Sequence, residues 1–305
     1  MTPFQESIRG SIPALLTALD KNFAVDREAM RKTTRRLLDN GSQGVVVVGT
    51  SGEFAGIDDD QREVAIRTVV DEVSGQGPVI VGCGQPNVRR THEQARAAAD
   101  LGADGILVNP PFYFTMTQDE VVSFFADLVE ASSLPVLLYN IPGVTKVPVE
   151  PATIPRLRDV GVQGTKDSSG IPANTLAYLA ALGAGSDFRV VTGGEGFFLH
   201  LLDAGVCATT GMLPNVAPQL AARIYTAWRA GDYEAGFSAQ HRANAFAAAF
   251  RPLHEFRHGA AKGVLSRLDL MEKWVAPPKT SLSDEEADLA FETVKEFLPE
   301  FDSQS

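Results

Sequence analysis

A chain of 305 residues, 44% hydrophobic and 21% charged, holds ample apolar material for a core and is neither disordered nor fibrous. Its 27 Lys and Arg against 38 Asp and Glu give a net charge of −11, and the absence of a basic patch argues against nucleic acid as a partner. No run of about 18 apolar residues is present and no apolar stretch follows a basic N-terminus, so a soluble cytoplasmic protein is expected, with no membrane span and no signal peptide.

Short apolar runs at 12–19, 44–48, 78–82, 105–108, 135–139, 162–166, 188–192 and 207–211 predict eight strands. Between them, amphipathic patterns predict helices, among them 27–39, 59–73, 92–101, 120–131 and 175–182. Strands apolar nearly throughout are buried on both faces, as in a parallel sheet with helical crossovers. Asp20-Lys21-Asn22 follows the first strand where a dinucleotide-binding sheet would place a Gly-rich phosphate turn, and no G-x-G-x-x-G follows any strand. The expectation is therefore an α/β fold, a (β/α)8 TIM barrel over 1–228. Helical patterns alone, at 233–250, 259–268 and 284–297, predict a C-terminal helical region over 229–305 packed on the barrel. Cys83 and Cys207 lie in apolar runs and are expected as buried thiols rather than a disulfide. Arg31, Lys32, Arg35 and Arg36 recur at helical spacing and are expected on a solvated helix face.

In a parallel barrel, chemistry sits at the C-terminal strand ends and the loops beyond them. The second strand ends in Gly49-Thr50-Ser51-Gly52-Glu53, whose hydroxyls and N–H groups would cradle a carboxylate or phosphate, although a plain Gly-rich turn has the same composition. The fifth ends in Tyr139-Asn140-Ile141-Pro142-Gly143, and alternation places Leu137 and Tyr139 on one face. A core tyrosine with a satisfied hydroxyl fits that position equally. In the sixth, Val162, Gly164 and Lys166 are expected on one face. A lysine buried on the inner wall should be disposed to lose its proton and act as a nucleophile, whereas a strand-end lysine would snorkel to water. His254-Glu255-Phe256-Arg257-His258 matches the zinc-protease pattern H-E-x-x-H. It lies outside the barrel mouth, after Pro252 and before Gly259, and places a cation beside the supposed metal. A polar turn is expected there, with no metal.

These motifs, in this order and at these strand ends, resemble the dihydrodipicolinate synthase / N-acetylneuraminate lyase family of class I aldolases over nearly the whole chain. The resemblance implies that Lys166 forms a Schiff base with the keto carbon of pyruvate or another 2-oxo acid. It implies that Tyr139 relays protons and that Thr50 and Ser51 hold the carboxylate. Tyr113 would reach across a tight dimer interface, Thr210 would offer a backbone carbonyl near pyruvate, and the loop carrying Glu195 would contact sugar-acid hydroxyls. No cofactor is implied, and the protein would be a homo-oligomer, a dimer of dimers.

One position departs from the pattern. Val144 stands where dihydrodipicolinate synthases carry an arginine that clamps the second substrate's carboxylate, and valine cannot make that contact. Gly196 likewise departs from the acidic residue of sialic-acid lyases. The expectation is a lyase joining pyruvate to an aldehyde to make, or cleaving to these, a 2-oxo-3-deoxy sugar acid, with Glu195, Thr145 and Ser168 hydrogen-bonding the aldehyde end. The alternatives are a 4-hydroxy-tetrahydrodipicolinate synthase (pyruvate plus aspartate semialdehyde), or a related hydratase or dehydratase. A binding protein that only senses a 2-oxo acid would need neither Lys166 nor Tyr139.

Overall fold

The computed structural model describes residues 1–301, the side chains of residues 254–257 excepted. Eight strands run parallel: β1 (Gly10–Ser11), β2 (Val45–Val47), β3 (Val79–Gly82), β4 (Gly105–Val108), β5 (Val136–Asn140), β6 (Gly164–Asp167), β7 (Arg189–Thr192) and β8 (Ala208–Thr209). They pair in the order β1-β8-β7-β6-β5-β4-β3-β2. The two edges meet just beyond β1, where Ala14 bridges Val46, the Val46 N–H donates to the Pro13 carbonyl (2.8 Å) and the Leu15 N–H to the Val46 carbonyl (2.9 Å). The sheet thus curls into the expected (β/α)8 barrel.

The first strand differs from expectation: ladder pairing covers Gly10–Ser11 instead of 12–19. Pro13 has no N–H to give and interrupts the ladder. The apolar run beyond it has another origin, since Ile12 faces the barrel interior while Leu15 and Leu16 join the outer layer. Val162 also belongs to that outer layer and does not share the face of Lys166, because β6 begins only at Gly164.

Helices Arg27–Asp39 and Asp59–Val73 match the sequence reading. Three others begin earlier than expected, at Val88, Gln118 and Pro172. Their first turns are polar or proline-led and carry no apolar period. Asn87 accepts from the Arg90 N–H, Thr117 and Glu120 form a reciprocal capping box, and Pro172 opens the third.

Two apolar layers result. Ile12, Val46, Ile80, Leu107, Leu137 and Val191 fill the barrel, while a larger cluster lies between strands and helices. A short helix, Pro3–Ser7, unforeseen from the sequence, lays Phe4 against the start of β4, where a Cβ on Gly105 would come 2.4 Å from the ring. Helices Tyr233–Phe250, Arg257–Ser266 and Asp284–Val294 follow the barrel. Arg36 corrects another expectation. It is buried, donates to the carbonyls of Asn215 and Val216 and pairs with Glu300 (2.8 Å), so it anchors the C-terminal segment while Arg31 and Lys32 face solvent. Cys83 and Cys207 are free and buried.

Among the described residues, no helix is long and apolar enough to cross a membrane, and no group of three His, Cys, Asp or Glu could hold a metal ion. Within the H-E-x-x-H segment, the side chains of 254–257 lie outside the described residues.

Candidate active site

Register brings the chemistry together. Tyr139 on β5 pairs with Lys166 on β6, so both project into the barrel mouth side by side. Both are 6% exposed, and the Lys166 ammonium lies 4.3 Å from the centre of the Tyr139 ring. Gly164 makes the room beneath: a Cβ there would fall 2.5 Å from the Arg189 carbonyl and 2.9 Å from Leu137.

The Tyr139 hydroxyl lies 3.4 Å from Thr50 Oγ1. Burial alone would raise the phenol's pKa. The charge of Lys166 and hydrogen bonding with Thr50, Lys166 and Ser168 together outweigh it, and the pKa falls below its ordinary value. A phenol so disposed releases and recovers a proton readily beside the amine.

Thr50 and Ser51 sit on a turn bent by left-handed residues at both ends, Val48 (φ 46°) and Glu53 (φ 58°). Gly52 is required here, since a Cβ would come 2.9 Å from Val48 Cα and 3.1 Å from the Leu15 carbonyl. The Thr17 hydroxyl donates to the Gly52 carbonyl (2.6 Å) and pins the turn. Among the described residues, the N–H groups of Thr50 and Ser51 make no internal hydrogen bond, which leaves two donors beside two hydroxyls for an anion.

Thr210 continues β8 at the same end of the barrel, buried, its N–H donating to the Thr192 carbonyl (2.8 Å). Tyr113 is different. It is 87% exposed, left-handed (φ 88°), and stands edge-on to the equally bare Phe114, touching none of the other candidates within this chain.

Glu195 and Thr145 are not brought to the mouth. Thr145 is buried with its hydroxyl donating to the Ile141 carbonyl (3.1 Å), while Ser168 stays beside Tyr139. The Glu195 carboxylate lies against Gly211, where a Cβ would be 2.0 Å from Oε1. With Leu213, Ala217, Ala243 and Phe246 it lines a narrow crevice on the helix side of β8. Its Oε1 is buried without a hydrogen bond, and burial pushes the carboxyl up from its ordinary 4.5 to about 7 despite Lys166 and Thr209. The folded protein therefore holds a proton here that the unfolded chain gives up, and stability falls as pH rises between about 4.5 and 7. Glu195→Gln should gain roughly 2–3 kcal/mol at pH 8 and almost nothing at pH 4.5. Urea melts at the two pH values check this, and an equal gain at both would refute it.

Two features escaped sequence reasoning. Asp167, on the reverse face from Lys166, accepts hydrogen bonds from Asn140 Nδ2 (2.9 Å), the Ser169 N–H (3.0 Å), Asn174 Nδ2 (3.1 Å) and the hydroxyls of Thr175 (2.7 Å) and Ser169 (3.1 Å). That network fixes the end of β6 and with it the direction of Lys166. Its signal was present as an aspartate followed by a Ser/Asn/Thr-rich loop. The second is Glu53, whose partners lie far along the chain.

A buried lysine thus stands against an acidified tyrosine at the mouth of the barrel, facing the turn of Thr50 and Ser51. The sequence matches the model of the Dihydrodipicolinate synthetase family over residues 7–297, and the chain belongs to that family of carbon–carbon lyases. It is 34% identical to the 4-hydroxy-tetrahydrodipicolinate synthase of Roseobacter denitrificans, covering 91% of this chain and 94% of the relative. The dihydrodipicolinate synthase of Thermotoga maritima superposes with a TM-score of 0.86 at 27% identity, covering 95% of this chain and 99% of that one. The chloride-inhibited dihydrodipicolinate synthase of Acinetobacter baumannii, solved with pyruvate, gives 0.84 at 25% identity with the same coverage.

Proposed function

We propose that Lys166 attacks the keto carbon of pyruvate and expels water, giving an iminium that withdraws electrons from the neighbouring carbon. Loss of a proton there forms an enamine, which adds to an aldehyde; in reverse, the carbon–carbon bond breaks and releases pyruvate. Tyr139 carries the proton to and from the aldehyde oxygen, and Thr50 and Ser51 hold the carboxylate. The observation that carries this reading is the Lys166–Tyr139 contact facing the Thr50 hydroxyl. The pyruvate bound in the Acinetobacter enzyme supports the choice of 2-oxo acid.

For the second substrate we propose an uncharged, hydroxylated aldehyde, so that the reaction makes or cleaves a 2-oxo-3-deoxy sugar acid. Val144, 61% exposed at the mouth, supports this because it leaves a second carboxylate without a bidentate partner. Ser168 is the hydroxyl at hand for the aldehyde end, and Glu195 would reach it only by leaving its place behind β8. The second reading is condensation with aspartate semialdehyde, and the relatives' names weigh toward it. Lys146, two residues from Val144, is the cation such a reaction would need, although its ammonium now donates to the Gly143 carbonyl (2.8 Å). We further propose that the bare Tyr113 and Phe114 are covered by a second copy of the chain in a homo-oligomer, and a fully active monomer in sedimentation would exclude this.

A screen for pyruvate release from 2-oxo-3-deoxy sugar acids, run beside pyruvate plus aspartate semialdehyde, tests the substrate choice. A missing clamp on a desolvated carboxylate costs about 2–5 kcal/mol, or roughly 30- to 4,000-fold in kcat/KM. Sugar-acid cleavage should exceed condensation, and Val144→Arg should raise condensation. Equal efficiency in the unmodified protein would establish the second reading.

A further inference from the structure

The turn that carries Thr50 and Ser51 is tied to a helix more than 200 residues later in the sequence. Glu53 Oε1 lies 2.6 Å from Lys262 Nζ, and both side chains are sealed from solvent, at 5% and 0% exposure. Glu53 Oε2 accepts from the Ala276 N–H (2.6 Å), and Lys262 also donates to the Trp274 carbonyl (2.6 Å). Gly56, three residues on, presses so closely on this segment that a Cβ would be 2.8 Å from Ala276 Cβ. Within the turn, the Glu53 N–H closes on the Thr50 carbonyl (3.1 Å) and the Phe54 N–H on that of Gly49 (3.3 Å).

Burying an ion pair is a poor route to stability, because desolvation offsets most of the attraction. What such a pair does supply is direction. Glu53, left-handed in its backbone (φ 58°), is held from both carboxylate oxygens by Lys262 and the Ala276 N–H, and its own N–H closes on the Thr50 carbonyl. We infer that Glu53 and Lys262 are positioning residues, through which the C-terminal helical segment holds the Thr50–Ser51 turn in register for the substrate carboxylate. This rests on the carboxylate-holding role proposed above for Thr50 and Ser51.

The test uses the full chain carrying Glu53→Gln together with Lys262→Met, which removes both charges and strands neither. Borohydride trapping on Lys166 is titrated with pyruvate and, separately, with methyl pyruvate, whose ester has no carboxylate charge. The concentration for half-maximal trapping by pyruvate should rise roughly 10- to 100-fold, the equivalent of a hydrogen bond to a charged group. The value for the ester should stay within about threefold of the unmodified protein. An unchanged pyruvate value, or an equal rise for both probes, would overturn the inference, the latter by showing a merely structural role. Lys262→Arg, which keeps the charge, should fall between the two proteins, and if the double variant does not fold, this single change carries the same comparison. Failure of the unmodified protein to trap pyruvate on Lys166 would instead sink the proposed reaction.

Discussion

Lys166→Ala should fold and lose turnover by on the order of 10⁵- to 10⁶-fold, the scale on which removing a covalent nucleophile acts. Among the described residues, no other lysine is placed to substitute for it. Lys146 is exposed and engaged with the Gly143 carbonyl, and Lys262 is locked between Glu53 and the Trp274 carbonyl, outside the barrel interior. The matching positive result is a borohydride-stable pyruvyl adduct on the peptide holding Lys166. Mass spectrometry that placed the adduct on Lys146 or Lys262 would remove the central claim. The loss should not be recovered at high pyruvate, because what is missing is a bond and not an affinity.

Tyr139→Phe should leave the imine trappable and slow turnover by roughly 10²- to 10⁴-fold, the usual worth of general acid–base help. The ring remains under Lys166 in this variant, so packing and the cation–ring contact survive while the hydroxyl is lost. Because Lys166 holds the phenol's pKa down, the unmodified enzyme should also lose activity at lower pH than an ordinary tyrosine would permit on the alkaline side. An unchanged rate would assign proton transfer to water or to Ser168.

The barrel was legible because its strands are short, apolar and separated by strongly periodic helices, and Arg27–Asp39 and Asp59–Val73 appear as expected. Where capping chemistry rather than apolar spacing opens a helix, as at Asn87 and Thr117, the periodic signal starts one turn late. The site was legible for another reason: strand ends in a parallel barrel converge, so a tyrosine, a lysine and a Gly-flanked hydroxyl pair at three such ends must share one mouth. Side-chain direction beyond the strands was not. Glu195 follows Gly193 and Gly194 and precedes Gly196, and nothing local says which side of β8 its carboxylate will take. Arg36 looked like one more surface cation because its partners, Glu300 and the carbonyls of Asn215 and Val216, are remote in the chain. Glu53 and Lys262 were hidden for the same cause.

The seam of the barrel sets the order in which this protein can be assembled. Gly10 and Ser11 pair with Ala208 and Thr209, about 200 residues away, whereas each pair from β2 to β7 joins neighbours in sequence. Strands β2 to β7 can zip together while a ribosome is still making the rest, but the first strand must wait for the last. Until it docks, Ala14 has no Gly211 carbonyl to bond, and the segment from Ala14 to Thr17 that bridges Val46 and pins Gly52 has only one of its two neighbours. Such a long-range closure is entropically slow. A nascent chain halted before β8 would therefore carry the lysine and the tyrosine side by side and still lack a settled turn at Thr50 and Ser51, so that in the proposed reaction activity would arrive with the closing of the ring and not with the synthesis of the proposed nucleophile.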